Sequence, residues 1–224
     1  MKTFVLIGGK DADHSNNFKL EESILKTLGL THPNVLYIPI AYGNRKLEKM
    51  KSFESLFNLG EVKTILSLED EEMIEKISWA DVIYFSGGSA SKLYLEVFGS
   101  KLEEYMKKDT NKVWMGISAG AILFSKAGMG DQNAYLDKGH MYQYQMVSGL
   151  GLLDMTICPH YNHDGLWCYN DLVYQYGCDG YALEDETAII FSDEIKVIKN
   201  NKSRSVYRFD SLKKEMIPLY GEVL

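Results

Sequence analysis

The stretch that most constrains this chain is Lys112-Val113-Trp114-Met115-Gly116-Ile117-Ser118-Ala119-Gly120-Ala121-Ile122-Leu123, where an apolar strand ends on Gly-x-Ser-x-Gly and a helix-forming segment follows at once. A serine on so sharp a strand-to-helix turn needs small neighbours, because glycines let the backbone approach and accept torsions that a side chain forbids. Gly116 and Gly120 supply them. The pattern predicts Ser118 exposed at the carboxyl end of its strand, as a nucleophile elbow presents it. The Ala119 amide opens the following helix without an intrahelical acceptor, so it is free to face a developing oxyanion. Gly-x-Ser-x-Gly also occurs in ordinary turns; the strand before it and the helix after it carry the functional reading.

The same strand-then-helix order repeats along the chain. Thr3 to Ile7, Val35 to Pro39, Val62 to Leu66, Val82 to Phe85 and Val113 to Ile117 read as strands. Between them Leu20 to Leu28, Leu47 to Leu59, Asp70 to Ile77 and Lys92 to Met106 carry apolar residues at helical spacing. Such alternation predicts a doubly wound α/β fold, a mostly parallel sheet with helices on both faces. Past the serine, Met155 to Cys158 reads as a strand and Leu166 to Tyr176 as a helix. Thr187 to Phe191, Lys196 to Lys199 and Val206 to Phe209 read as short closing strands, antiparallel near the C-terminus.

No linker, repeat or low-complexity tract divides residues 1–224, so one domain is expected. The net charge of -7 argues against nucleic acid as a partner, since a phosphate backbone needs a basic footprint. Met1 to Gly9 carries too short an apolar run for a signal-peptide core, and no later stretch is long enough to span a bilayer. A cytoplasmic protein without membrane contact is expected. Its odd set of Cys158, Cys168 and Cys178 then reads as free thiols.

A serine hydroxyl is a weak nucleophile until a base takes its proton, so a histidine and a carboxylate to orient it are sought. His14 and His32 sit in early polar loops and His140 in a Gly-rich segment. His160, in Ile157-Cys158-Pro159-His160-Tyr161-Asn162-His163, ends a short apolar strand, and carboxyl ends of strands are where open α/β sheets place their sites. One serine takes one base, which makes the competing His163 dispensable in this reading. His160 and His163 with Cys158 and Asp164 nearby also suggest a metal cluster, but their spacing matches none of the strong zinc patterns, and no metal is expected. Tyr181 to Ile190 offers three acids, Glu184, Asp185 and Glu186, before an apolar strand. Spacing does not choose among them. The order serine, histidine, acid differs from the serine, acid, histidine of α/β-hydrolases. Tyr84-Phe85-Ser86-Gly87-Gly88-Ser89-Ala90 is a second strand ending in glycines. Its amides would complete an oxyanion hole with Ala119, unless the turn is a plain connection or a phosphate cradle.

With these pieces in place the chain resembles the serine peptidases of the dipeptidase E and cyanophycinase family. Phe85-Ser86-Gly87-Gly88, Gly116-Ile117-Ser118-Ala119-Gly120-Ala121, Pro159-His160-Tyr161 and Leu183-Glu184-Asp185-Glu186-Thr187-Ala188 carry the likeness, which runs from the first strand to about Phe191. The resemblance implies a sheet like that of class I glutamine amidotransferases, with Ser118 as nucleophile, His160 as base, and Gly88 with Ala119 as oxyanion donors. Many relatives have Asp-Glu where this chain has Glu184-Asp185, so the orienting role falls on Asp185, with Glu184 the alternative acid. The family's Gly-Gly-Asn is Gly87-Gly88-Ser89 here. The implied reaction is hydrolysis of short peptides through an acyl-enzyme, with no cofactor. An esterase or amidase on the same turn, and a binding module that has lost turnover, are the competing readings, and a homodimer is left open.

Relatives of this kind cut beside aspartate, which calls for a cation near the site. The stretch from Ser118 to Asp185 holds just Lys126 and Lys138, and the arginines are Arg45, Arg204 and Arg208. Exopeptidase action without a strong demand for an acidic side chain is therefore expected. The aromatic residues of that stretch, Tyr135, Tyr142, Tyr144, Tyr161, Trp167, Tyr169, Tyr174, Tyr176 and Tyr181, are read as packing a core.

Overall fold

Five short strands rich in branched and aromatic residues form the centre of the molecule: β1 (Thr3–Ile7), β2 (Asn34–Ile38), β3 (Glu61–Thr64), β4 (Val82–Phe85) and β5 (Val113–Ile117). They pair in parallel in the order β1-β5-β4-β2-β3. The computed structural model describes residues 2–11, 17–108, 111–131 and 144–223. His14, Tyr135, Lys138, His140 and Tyr142 lie outside them.

Period-2 alternation divides β1 between two cores. Phe4 and Leu6 join one buried cluster, and Val5 and Ile7 join the other on the opposite face. The second face is covered by α1 (Lys19–Thr27) and α2 (Lys46–Leu56), whose Ile24 and Phe53 pack on β2 and β4 residues such as Tyr37 and Tyr84. The first face takes α3 (Met73–Trp79), α4 (Ala90–Val97) and α5 (Lys101–Lys108) through Ile77, Leu93 and Leu102. Helices on both faces of a largely parallel sheet are what the alternating pattern predicted. The helix expected over Lys92 to Met106 is instead two, because Gly99 adopts φ 75° and breaks the run between α4 and α5.

After β5 the chain departs from the simple picture. Every residue of α6 (Ala119–Phe124) is buried. Beyond it come β6 (Ala127–Asp131), β7 (Tyr144–Ser148), β8 (Thr156–Cys158), the short α7 (Tyr169–Leu172) flanked by 3-10 turns, β9 (Gly180–Leu183), β10 (Thr187–Phe191), β11 (Ile195–Lys199), β12 (Val206–Asp210), β13 (Glu215–Leu219) and β14 (Glu222–Val223). β10 adds antiparallel to the free side of β1, followed by β11 and β14, which completes an eight-stranded sheet. The remaining strands build a second, six-stranded sheet in the order β13-β12-β9-β8-β6-β7. α6 contacts both sheets, and Phe124 shares one core with Phe85 of the first and Ile157 and Leu183 of the second. The closing strands are antiparallel as read, but β12 pairs with β9 in the second sheet. No described helix is long and apolar enough to cross a membrane.

Candidate active site

The Ser118 turn is fixed by backbone packing. A methyl group at Gly116 would run into the carbonyl of Gly120, and one at Gly120 would lie 2.5 Å from the Phe85 carbonyl oxygen, so both positions need glycine for close approach. Ser118 is held at φ 54°, ψ -110°, a strained left-handed setting for a residue with a side chain. Its N–H donates to Ile7 O at 3.0 Å, and its carbonyl accepts from Ala121 and Ile122 at 3.0 and 3.1 Å. The main chain is thus committed to β1 and α6, which leaves the hydroxyl projecting into a cleft.

The second element is the turn after β8. His160 also sits at φ 54°, with its N–H on Gly8 O at 3.3 Å, and the His163 N–H closes the turn on His160 O at 2.8 Å. The two imidazole rings lie 5.0 Å apart. His160 Nε2 stands 2.9 Å from Ser118 Oγ, and His160 Nδ1 stands 2.6 Å from Asp185 Oδ1.

Asp185 lies in the turn between β9 and β10, at 1% exposure. Its second oxygen, Oδ2, meets His163 Nε2 at 2.6 Å and accepts from Asn162 Nδ2 at 3.2 Å. Its own N–H donates to Asn162 Oδ1 at 2.8 Å. Burial raises this carboxyl, but the hydrogen bonds from His160 and His163, with their charge, outweigh it and hold Asp185 well below the usual carboxylate range. The hydrogen bond to Asp185 likewise raises the His163 imidazole above its ordinary value, against a smaller opposing effect of burial.

The neighbouring acids are engaged elsewhere. Glu184 Oε2 accepts from the Ser205 N–H at 3.0 Å. Glu186 Oε1 accepts from the Asp11 N–H at 3.2 Å and its Oε2 from Asn200 at 2.8 Å. Of the three acids left open by the sequence, Asp185 is the one brought to His160. The loop after β1 closes the back of this group: a methyl at Gly9 would collide with both the Asp185 carboxylate and the His160 ring. His32 is exposed in a loop away from the site.

Ser118, Gly87, Gly88, Ala119, His160 and His163 line one cleft of about 510 Å3. Its wall also holds Lys10, Tyr42, Lys49 and Tyr144, and the first three also line an adjoining cavity of about 160 Å3 with Tyr37, Phe53 and Tyr84. Lys10 directly follows Gly8-Gly9 at the carboxyl end of β1, a position that strand-end reasoning could have flagged; Lys49 reaches in from α2, and nothing local in its sequence signals that. Lys10 Nζ pairs with the buried Glu21 at 2.9 Å and donates to Asn17 O at 2.7 Å. Lys49 stands 3.9 Å from Glu48 and over the Tyr42 ring. The aromatic residues divide. Tyr169 and Tyr181 are buried, Tyr144 lines the cleft, and Trp167 is 68% exposed, which corrects its reading as a packing residue.

His160, His163 and Asp185 offer donor atoms within 4.8 Å of one another, and each facing donor is already hydrogen-bonded within the group. The Cys158 and Asp164 of the metal reading are not part of it, and the three cysteines are free.

No curated protein matches the sequence. The fold is similar to that of a peptidase from an acI-B1 Actinobacterium, with a TM-score of 0.69 and 19% identity over 99% of this chain and 95% of that one. It is also similar to a putative peptidase E protein from Listeria monocytogenes EGD-e, with a TM-score of 0.59 and 20% identity over 90% of this chain and 100% of the other. The model of peptidase family S51 matches residues 4–198, which include β1, the Ser118 turn, the His160 turn and Asp185. The chain belongs to peptidase family S51 and is a serine-type peptidase.

Proposed function

We propose that this protein hydrolyses short peptides in the cytoplasm through an acyl-enzyme formed on Ser118, with His160 as general base and Asp185 as the acid that orients it. The observation that carries the reading is the unbroken line Ser118 Oγ, His160 Nε2, His160 Nδ1, Asp185 Oδ1, with gaps of 2.9 and 2.6 Å. With its Nδ1–H donated to Asp185, the imidazole keeps a lone pair on Nε2 for the serine proton. Ser118 Oγ attacks the scissile carbonyl as His160 takes that proton. The carbonyl oxygen gathers negative charge against the N–H groups of Gly88 and Ala119, both of which line the cleft beside the hydroxyl. Collapse of the tetrahedral adduct expels the amine, which leaves with the proton held by His160. A water then gives His160 a proton, attacks the ester, and releases the acid with Ser118 restored. As proposed, the machinery consists of these three side chains, the two main-chain amides and a water. The names of the similar structures, both peptidases, favour an amide over an ester as the scissile bond.

On substrate, the cleft takes short peptides without a strong demand for an acidic side chain. Lys10 and Lys49 are the cations that line it among the described residues, and Lys10 is neutralised by Glu21. An aspartate carboxylate drawn out of water would have to rely on Lys49 or on backbone amides.

The test is Ser118→Ala, which removes the hydroxyl from a turn whose backbone is held independently of it. Turnover should fall on the order of a thousandfold or more, with an unchanged melting curve. His160→Ala should match it. Comparison of kcat/KM for aspartyl-, alanyl- and leucyl-p-nitroanilide then reads specificity; a preference for Asp beyond about tenfold would show a committed charge contact and overturn the substrate assignment. Near-normal turnover by Ser118→Ala would remove the mechanism altogether.

A further inference from the structure

His163 lines the cleft and plays no part in the mechanism above, although it makes one of the shortest polar contacts there. Its Nε2 meets Asp185 Oδ2 at 2.6 Å, the same separation that His160 Nδ1 keeps from Oδ1. The buried carboxylate is therefore gripped from both sides by two imidazoles of one turn, and Asn162, between them in sequence, binds both the carboxylate and the Asp185 N–H. The segment His160 to His163 carries the base together with both side chains that hold the base's acid.

We propose that His163 is a positioning residue for the peptidase reaction: by donating its Nε2–H to Asp185 Oδ2 it fixes the carboxylate plane so that Oδ1 stays on His160 Nδ1. This rests on the assignment of His160 and Asp185 given above. The reason is geometric. A carboxylate bound through one oxygen can swing about its terminal torsion, which is broad and weakly restrained for aspartate. A donor on the second oxygen removes the swing. Asn162 does part of this at 3.2 Å, and His163 at 2.6 Å is the closer holder. The charged and titratable groups that face His163 are Asp185 in contact, the His160 ring 5.0 Å away, and Arg204 and Asp11, which pair with each other at 2.6 Å and act on it with opposite sign. The effect reaches the reacting atoms through Asp185 and His160, and it should appear in the chemical step, not in binding.

The sequence reading made His163 dispensable, on the ground that one serine needs one base. His160 is the histidine that stands 2.9 Å from Ser118 Oγ, and the contact of His163 with the shared acid is what argues for a second task.

The experiment compares wild type with His163→Ala, His163→Gln and His163→Met. Two readouts are used: the rate of labelling by a fluorophosphonate, and kcat and KM on whichever of the three p-nitroanilides is cleaved best. Alanine and methionine lack the donor, and methionine fills the space if alanine does not fold; glutamine restores an N–H. The expected result is a fall of about tenfold in kcat and in labelling rate for Ala and Met, KM within about twofold, and recovery of most of the loss in Gln. Rates within twofold of wild type in the Ala and Met variants overturn the proposal, as does a loss confined to KM or a Gln variant as slow as Met. If wild type labels at Ser118 and these variants label equally fast, the peptidase mechanism stands and the role of His163 falls. If Ser118 of wild type does not label at all, the mechanism falls and takes this role with it.

Discussion

The Ser118 turn and the His160 turn meet at a distance of 2.9 Å, yet their functional side chains are set by different means. Ser118 is placed by main chain: glycines that allow close approach, and hydrogen bonds of its own N–H and carbonyl to β1 and α6. The His160 main chain is hydrogen-bonded too, to Gly8 and His163, but its ring is aimed by side chains, through a buried aspartate that is itself gripped by Asn162 and His163. Both residues adopt φ 54°, so strain alone does not separate them. A site half built from backbone and half from side chains should fail in two ways. Damage to the first half costs stability, and damage to the second costs rate while the fold persists.

The sharpest attempt to break this contrast is Asp185→Asn. Retaining the shape but not the charge, it should lower kcat on the order of a thousandfold or more, because the amide cannot hold the imidazole in the productive tautomer. The melting temperature should fall much less than activity does; a variant that simply unfolds would erase the distinction.

The complementary substitution is Gly120→Ala. The added methyl meets the Phe85 carbonyl oxygen at 2.5 Å, and overpacking of this kind costs about 1–3 kcal/mol. Thermal melting should drop by several degrees. A melt unchanged from wild type would show that the turn is not set by this contact. Glu184→Gln sharpens the other half: its carboxylate serves the Ser205 amide, so turnover should stay within about twofold, and a loss comparable to Asp185→Asn would return the orienting role to Glu184.

The smallest effect expected is on the pH dependence of stability. Asp185 is held below its unfolded value, so its contribution is present above the ordinary carboxylate pKa of about 3.9 and is lost as pH falls through the folded value. His163 is raised, so its contribution is complete below the unfolded value of about 6.5 and is lost as pH rises through the folded one. The melting-temperature difference between wild type and His163→Met should accordingly be larger at pH 5.5 than at pH 8.5. An equal difference at both would dissociate the His163 contact from its proton.

The same contrast explains what was legible in the sequence. Gly116, Ser118, Ala119 and Gly120 are within five positions of one another, so a backbone-built turn announces itself as a motif. His160 was found from its place at a strand end. The choice of Asp185 over Glu184 came from the family resemblance alone and not from spacing, because it depends on which of two adjacent side chains faces a turn more than twenty residues away. The eight strands' parallel part was legible from alternation, whereas the second sheet was not. β6 reads Ala-Gly-Met-Gly-Asp, without the alternation that marks a strand, because Gly128 sits against Ile122 of α6 and Ile157 of β8, where a methyl group would find carbon atoms at 2.8 Å. β9 is buried along its whole length and merged in the sequence with the acidic turn that follows. Close packing of a helix between two sheets erased the pattern that would have revealed them.

The position of β1 has a consequence for the birth of the protein. The strand nearest the start of the chain lies between β5 and β10, pairing with Trp114 on one side and Ile190 on the other. Its full pairing must wait until β10 has left the ribosome, a long-range closure of the kind that slows folding. The loop that follows it backs His160 and Asp185, and Asp185 itself is made only two residues before β10. A nascent chain can therefore carry Ser118 for several seconds of synthesis before Asp185 has been made. On the mechanism proposed above, hydrolytic capacity arrives only when β10 has closed on β1 and brought Asp185 to His160.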